Sequence, residues 1–360
     1  MIPVAPIVTA VVLSVLAARR RKNRGAGDPA RKYGLTPARR TDPDRAGPDP
    51  AGVAAAKAVR AGNWQHAADF LAHADGSGDP GGDTSWDERS RRAGLLGEEA
   101  ARGDGWLTAW RGARPDDAGA ALVHGAALIE KAWAARGSAL AGNTTREQFE
   151  NFDVQLARAL PALKEAARRA PGDPTPLVVQ IPLAYGQGWS HDQFRALWAE
   201  ITARDPHHFA AHIGALQYWC AKWRGSDDLA REFAEKAAVS APAGSLLAVL
   251  RLHEIYERRT GDADPARRWN TPEARDAVDA TLAAVAAAPA GHLRLPRVHL
   301  TLAYALVQAG RHAEAVAHFR AADGYAGAPP WTYHRDTRAF YALLRTRALN
   351  AWATAGRPAA

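Results

Sequence analysis

Apolar positions along this chain fall into three regimes. Residues Ile2 to Ala18 are apolar or small apart from Thr9 and Ser14, and Arg19-Arg20-Arg21-Lys22 follows directly. Seventeen helical residues span about 25 Å, slightly short of a ~30 Å hydrocarbon core, and Arg19 and Arg20 could snorkel to cover part of the deficit. Because the positive charge follows the apolar run, the pattern predicts a retained transmembrane anchor over residues 1–18 rather than a cleaved secretory signal. Cleavage or a misassigned start is the alternative. Basic residues stay on the cytoplasmic side, which predicts a single-pass membrane protein with its main domain in the cytoplasm. From Gly25 to Pro50 the chain is rich in Gly, Pro, Asp and Arg without apolar periodicity, and residues 19–50 are expected to form a basic, disordered stem beside the membrane. Beyond residue 50, Ala and Leu dominate the apolar residues, and the longest strand-like patch is Leu177-Val178-Val179. That bias predicts an all-α domain over residues 51–355.

Within this domain the small and apolar positions recur in register. Ala303, Gly310, Ala315, Phe319 and Ala322 fall at offsets of 7, 5, 4 and 3, and Ala55, Gly62, Ala67, Leu71 and Ala74 repeat them. Three further segments end on proline: Ala159/Leu163/Ala166/Pro171, Phe194/Trp198/Ile201/Pro206 and Ala230/Ala234/Ala237/Pro242, each at offsets of 4, 3 and 5. Small residues let antiparallel helices approach, the glycine makes the turn, and the large residue fills the gap between them. Ser85-x-x-Glu88, Thr144-x-x-Glu147 and Ser190-x-x-Gln193 read as capping boxes, and Thr271-Pro272 as an N-cap followed by Pro at the first helical position. Pro182 is expected to kink its helix. Between Pro242 and Pro289 there are 47 residues, where 35 or 36 separate the earlier prolines, so one repeat is expected to be expanded.

This pattern resembles the tetratricopeptide repeat, and the aromatic Tyr185 sits where that family favours one. The resemblance implies helix pairs stacked into an α–α superhelix, with partner binding on the concave face of the first helices. Gly186-Gln187-Gly188-Trp189, Asp205-Pro206 and Tyr218-Trp219-Cys220-Ala221-Lys222-Trp223-Arg224-Gly225-Ser226 also look like an uncharacterised bacterial helical domain family, over roughly residues 120–240. That second resemblance implies a fold and no activity.

Charge changes the picture little. The formal net charge is +8, of which residues 1–50 supply +6 through ten Lys/Arg against four Asp, leaving +2 for the other 310 residues. A nearly neutral domain gives no footprint for a phosphate backbone, so no nucleic-acid partner is expected. Cys220 is the one cysteine, which excludes an intrachain disulfide and reads as a buried structural thiol.

Candidate chemistry is sparse. His208 and His212 stand at i, i+4, as metal-binding pairs do, but Phe209 occupies the position where a metalloprotease carries Glu, and no third ligand is evident. No metal or cofactor is expected. His253-Glu254 could form an acid/base pair, with a charged helix face as the plainer reading. No nucleophile elbow or phosphate loop appears. Trp219, Lys222, Trp223 and Arg224 are the candidate interface residues, since aromatics and Arg dominate binding energy. The repeat register adds Arg297, Tyr304 and Gln308 on the concave face of the last repeat. The sequence therefore predicts a tethered scaffold that binds a protein or peptide in a helical-repeat groove. The rival is an enzyme whose site is assembled from distant residues.

Overall fold

A helix rich in Ala and Leu cannot shield its apolar face alone, so this sequence demands neighbours at every step. In the computed structural model, which describes residues 28–73, 85–137, 145–258 and 265–356, they are supplied by other helices. The first half contains α1 (Pro50–Arg60), α2 (Trp64–Ala72), α3 (Ser85–Arg102), α4 (Gly105–Ala113), α5 (Ala118–Arg136), α6 (Arg146–Arg169), α7 (Thr175–Val178) and α8 (Ile181–Gly186). The second contains α9 (His191–Arg204), α10 (Phe209–Trp219), α11 (Asp227–Ser240), α12 (Val249–Glu257), α13 (Pro265–Trp269), α14 (Pro272–Ala287), α15 (Leu295–Gln308), α16 (His312–Ala321) and α17 (Thr337–Thr354). The chain is all-α: no strand occurs among the described residues, and a single bridge pairs Asp42 with Tyr325.

The repeated small residues are the helix contacts. Ala55, Ala67 and Leu71 are buried where α1 meets α2, and Ala303, Ala315, Phe319 and Ala322 where α15 meets α16. Gly62 and Gly310 make the two turns with φ of 85° and 75°, a conformation that any Cβ would penalise. Ala159, Leu163 and Ala166 of α6, Phe194 and Ile201 of α9, and Ala230, Ala234 and Ala237 of α11 are likewise buried, while Trp198 is half-buried. Ala74 lies outside the described residues.

Local signals are mostly obeyed. Ser190 and Gln193 form the expected capping box, and Thr271 caps α14 with Pro272 inside its first turn. The box before α6 is displaced by one residue: Thr145 pairs with Gln148, because Gln148 satisfies the reciprocal bond that Glu147 was expected to make. At Pro182 the chain does more than kink. It divides into α7 and α8, with Pro182 in the first turn of the second. The expanded repeat accommodates the short extra helix α13, whose Trp269 is buried.

Two sets of contacts tie distant parts of the chain together. Helix α3 packs against α1, α5, α7 and α10. Its Asp87 accepts from the Ala210 N–H at the start of α10 at 2.9 Å and from Arg294 just before α15. Residues 28–49, expected within a disordered stem, instead fold back onto the carboxyl-terminal part. The Asp323 carboxylate takes both the N–H and hydroxyl of Thr36 at 2.8 Å, and Asp42 exchanges backbone bonds with Gly324 and Ala326. Ala30, Leu35 and Thr41 are buried there. Backbone and carboxylate bonds hold this segment together with a few apolar contacts from Ala30, Tyr33 and Leu35, too irregularly spaced to form an apolar periodicity.

The membrane placement drawn from the sequence also requires correction. Among the described residues no helix is long and apolar enough to cross a membrane. Residues 1–18, on which the anchor was expected, lie outside the described residues. A single-pass membrane protein is therefore not supported.

Candidate functional site

The turn after α10 places two of the expected interface residues. Trp223 and Gly225 donate their N–H groups to the Cys220 carbonyl at 2.9 and 3.3 Å, and Arg224 donates to the Tyr218 carbonyl. A Cβ on Gly225 would lie 1.8 Å from the Trp219 carbonyl oxygen, so only glycine closes this turn. The result sends neighbouring side chains to different partners. Trp223 packs on Tyr185 of α8 at 4.8 Å between ring centroids and on Trp133 of α5 at 5.6 Å. Gly186 lets α8 lie close against α6: a Cβ there would meet Phe152 and Leu156 at 2.9 Å. Arg136 stacks over both Trp133 and Trp223.

Lys222 reaches the other way. Its ammonium meets the Glu257 carboxylate at 2.5 Å and lies 5.4 Å from the centre of the Tyr333 ring. Glu257 also accepts from Gln217 at 3.0 Å and from the Tyr333 hydroxyl at 2.8 Å. Tyr333 keeps 48% of its surface exposed, yet burial and the neighbouring Glu257 raise its phenol well above the ordinary value. Its hydroxyl therefore remains a donor to Glu257. Tyr256 completes the wall at 5.6 Å from Tyr333.

Arg297, in the first turn of α15, lies close enough to Tyr333 for their charges to interact. Burial, and then neighbouring Arg294, lower its pKa to about 10. Its Nε is buried without a hydrogen-bond partner. Arg297 lines a cavity of about 740 Å³ between the segment before α1, helix α3 and the start of α15.

The remaining sequence candidates are placed elsewhere. Tyr304 is a correction: it is 6% exposed, enclosed by Tyr256, Trp269 and Trp331 at 5.4 to 5.8 Å. Trp269 of the short helix α13 and Trp331 after α16 cover the ring that was expected to face a partner. Gln308 is half-buried beside the Tyr304 hydroxyl. Trp219 is 9% exposed and packs on Phe194, Tyr218 and His191, with Arg195 over its ring. The Arg224 side chain is exposed, and its carbonyl accepts from His191 Nε2 at 2.8 Å. The site therefore joins Trp223, Lys222 and Arg297 with Trp133, Tyr185, Glu257 and Tyr333, none of which was singled out for binding from sequence. Only their tertiary assembly marks them.

The histidine pairs are spent on structure. His208 Nδ1 accepts from the Ala211 N–H, leaving Nε2 to donate to Ser90 Oγ at 2.9 Å. His212 Nδ1 lies 3.0 Å from the His208 carbonyl. No group of three or more potential ligands gathers among the described residues. Glu254 is bound by Arg258, and His253 is buried with Nε2 unpartnered. Burial pushes the Cys220 thiol up to about 12, which makes it inert as a nucleophile. No known family model, curated protein or solved structure matches this chain.

Proposed function

We propose that the chain is a degenerate tetratricopeptide-type scaffold that grips an extended segment of a partner protein against the wall of Trp133, Tyr185, Trp223 and Tyr333. The reading of the helices as a repeat array is supported by the burial of the recurring Ala positions and by Gly62 and Gly310 at equivalent turns. Neighbouring helices also pack in succession, α10 on α11, α11 on α12, α14 on α15, α15 on α16 and α16 on α17. The observation that carries the binding role is the Cys220–Gly225 turn, which sets Lys222 and Trp223 beside aromatic rings from separate helices. Such rings offer large contact area at low entropic cost, and the Lys222–Glu257 pair offers polar groups to a peptide backbone. Because Lys222, Glu257 and Tyr333 already satisfy one another, a binding role fits them better than acid–base chemistry.

Selection of a random-peptide display library on the purified chain tests this reading. Enriched peptides are expected to lose at least tenfold in affinity to the Trp223→Ala variant. Peptides that bind this variant undiminished, or no enrichment at all, would overturn it.

A further inference from the structure

The cavity beside Arg297 is built from charged residues whose charges are almost all matched. Arg45 pairs with Asp42, Arg91 with Asp49 and Glu88, Arg60 and Arg102 with Glu99, and Arg294 with Asp87. Among the described residues that line it, Arg297 is the one cation without an ion pair and Asp44 the one carboxylate without one. The Arg297 Nε has no partner, and no carboxylate forms an ion pair with its guanidinium. An enclosed, unpaired cation is costly, and burial accordingly lowers the pKa of Arg297. Two features worsen its position. Arg297 stands in the first turn of a 14-residue helix, where the dipole disfavours positive charge. Neighbouring Arg294 adds the repulsion of a like charge.

From this geometry we infer that the cavity between residues 42–53, helix α3 and the start of α15 binds a carboxylate monoanion through the guanidinium of Arg297. The planar fork of an arginine matches a carboxylate with two parallel N–H bonds. Arg297, the lining cation without an ion pair, can engage one carboxylate, and the repulsion from Asp44 is smaller for a monoanion than for a dianion. A phosphate dianion would find no second unmatched cation there, and would face Asp44 and Glu98, which also line the space. Leu95, Leu293 and Pro296 offer apolar surface to a short hydrocarbon chain. The carboxylate could belong to a small organic acid or to the end of a peptide. The inference does not depend on the aromatic wall.

The experiment is a titration of the full-length chain followed through arginine Nε–H NMR signals, with the Arg297 signal assigned from its absence in Arg297→Lys. Sodium butyrate, N-acetyl-trialanine, its C-terminal amide and sodium phosphate are each compared with chloride at equal ionic strength. A saturable shift with butyrate and N-acetyl-trialanine supports a pocket for small acids. A shift with the peptide acid alone supports a chain terminus as the ligand. No saturable shift with either acid, an equal shift with the amide, or saturation by phosphate alone overturns the inference. In parallel, Arg297→Met is expected to melt at a higher temperature than the unliganded parent and to lose any butyrate-dependent rise. A lower melting temperature with the butyrate effect intact would also overturn it.

Discussion

Arg294 donates from Nε to the carboxylate of Asp87, 207 residues earlier in the chain. Both side chains are buried, at 12% and 1% exposure. Asp87 also accepts the Ala210 N–H and lies 3.4 Å from His208 Nδ1, so one carboxylate joins the start of α3, the start of α10 and the approach to α15. Such a link makes distant parts of the chain depend on one another.

Asp87→Ala is therefore expected to lower stability by about 3–5 kcal/mol, because it leaves Arg294 buried without its partner. Burial alone would raise the Asp87 pKa, but Arg294, and then His208 and the Ala210 N–H, outweigh it and hold the group at about 2. The folded-state pKa is below the unfolded value, so its stabilisation is complete above the unfolded pKa and disappears as pH falls through about 2. Urea midpoints from pH 5 down to pH 2 should show the variant losing less stability over this window than the parent.

Gly225→Ala tests the turn that presents Lys222 and Trp223. The added Cβ would meet backbone at 1.8 Å, which side-chain rotation cannot relieve. A loss of about 3 kcal/mol is expected. Trp223 should also leave its contact with Trp133 and Tyr185, read as a change in tryptophan fluorescence under conditions where the variant remains folded. An unchanged spectrum and stability would show that the turn tolerates another route.

Docking of residues 28–49 depends on Asp323. Removing its carboxylate in Asp323→Ala frees both Thr36 donors and takes the partner 3.5 Å from buried Arg345. Weaker docking opens this segment more often. Limited trypsin digestion should then cut after the exposed Arg31, Lys32, Arg39 and Arg40 at least tenfold faster, with cleavage at other described sites unchanged. Equal cleavage rates in both proteins would show that Asp323 does not govern docking.

How much of this was legible in the sequence follows from the range of each interaction. Ala303, Ala315 and Phe319 were readable because two paired helices meet at a fixed local spacing, and their burial follows it, with Gly310 making the turn between the helices. The same register named Arg297, which the structure places in the lining of a cavity. Tyr304 was misplaced because Trp269 and Trp331, far from it in sequence, cover the face that a regular repeat leaves open. Glu257 and Tyr333 stand 76 residues apart and meet only in the folded chain. Residues 28–49 escaped notice because hydrogen bonds to Asp323, Gly324 and Ala326 leave no hydrophobic pattern and the apolar anchors Ala30, Tyr33 and Leu35 follow no helical or strand period. The glycine turns give a direct check on the legible part. Gly310→Ala at φ 75° should cost about 1 kcal/mol in a urea melt, whereas an unaffected midpoint would show that the turn has no need of glycine.

The last prediction concerns His253, which is 5% exposed with Nε2 unpartnered. Burial, and then the charge of Arg297, lower its pKa to about 3 from an ordinary 6.5. Between these values the unfolded chain binds a proton that the folded chain does not. Stability must then fall as pH drops below 6.5, with a slope of about 1.4 kcal/mol per pH unit from this residue once the unfolded form is fully protonated. The window lies above that of Asp87, so the two effects separate in pH. His253→Leu keeps similar volume, removes the orphan nitrogen and cannot be protonated. Urea melts from pH 7 to pH 4 should show the variant more stable at acid pH, with the slope reduced by about that amount. An unaltered slope would mean that the imidazole reaches a proton acceptor in the folded chain and is charged there.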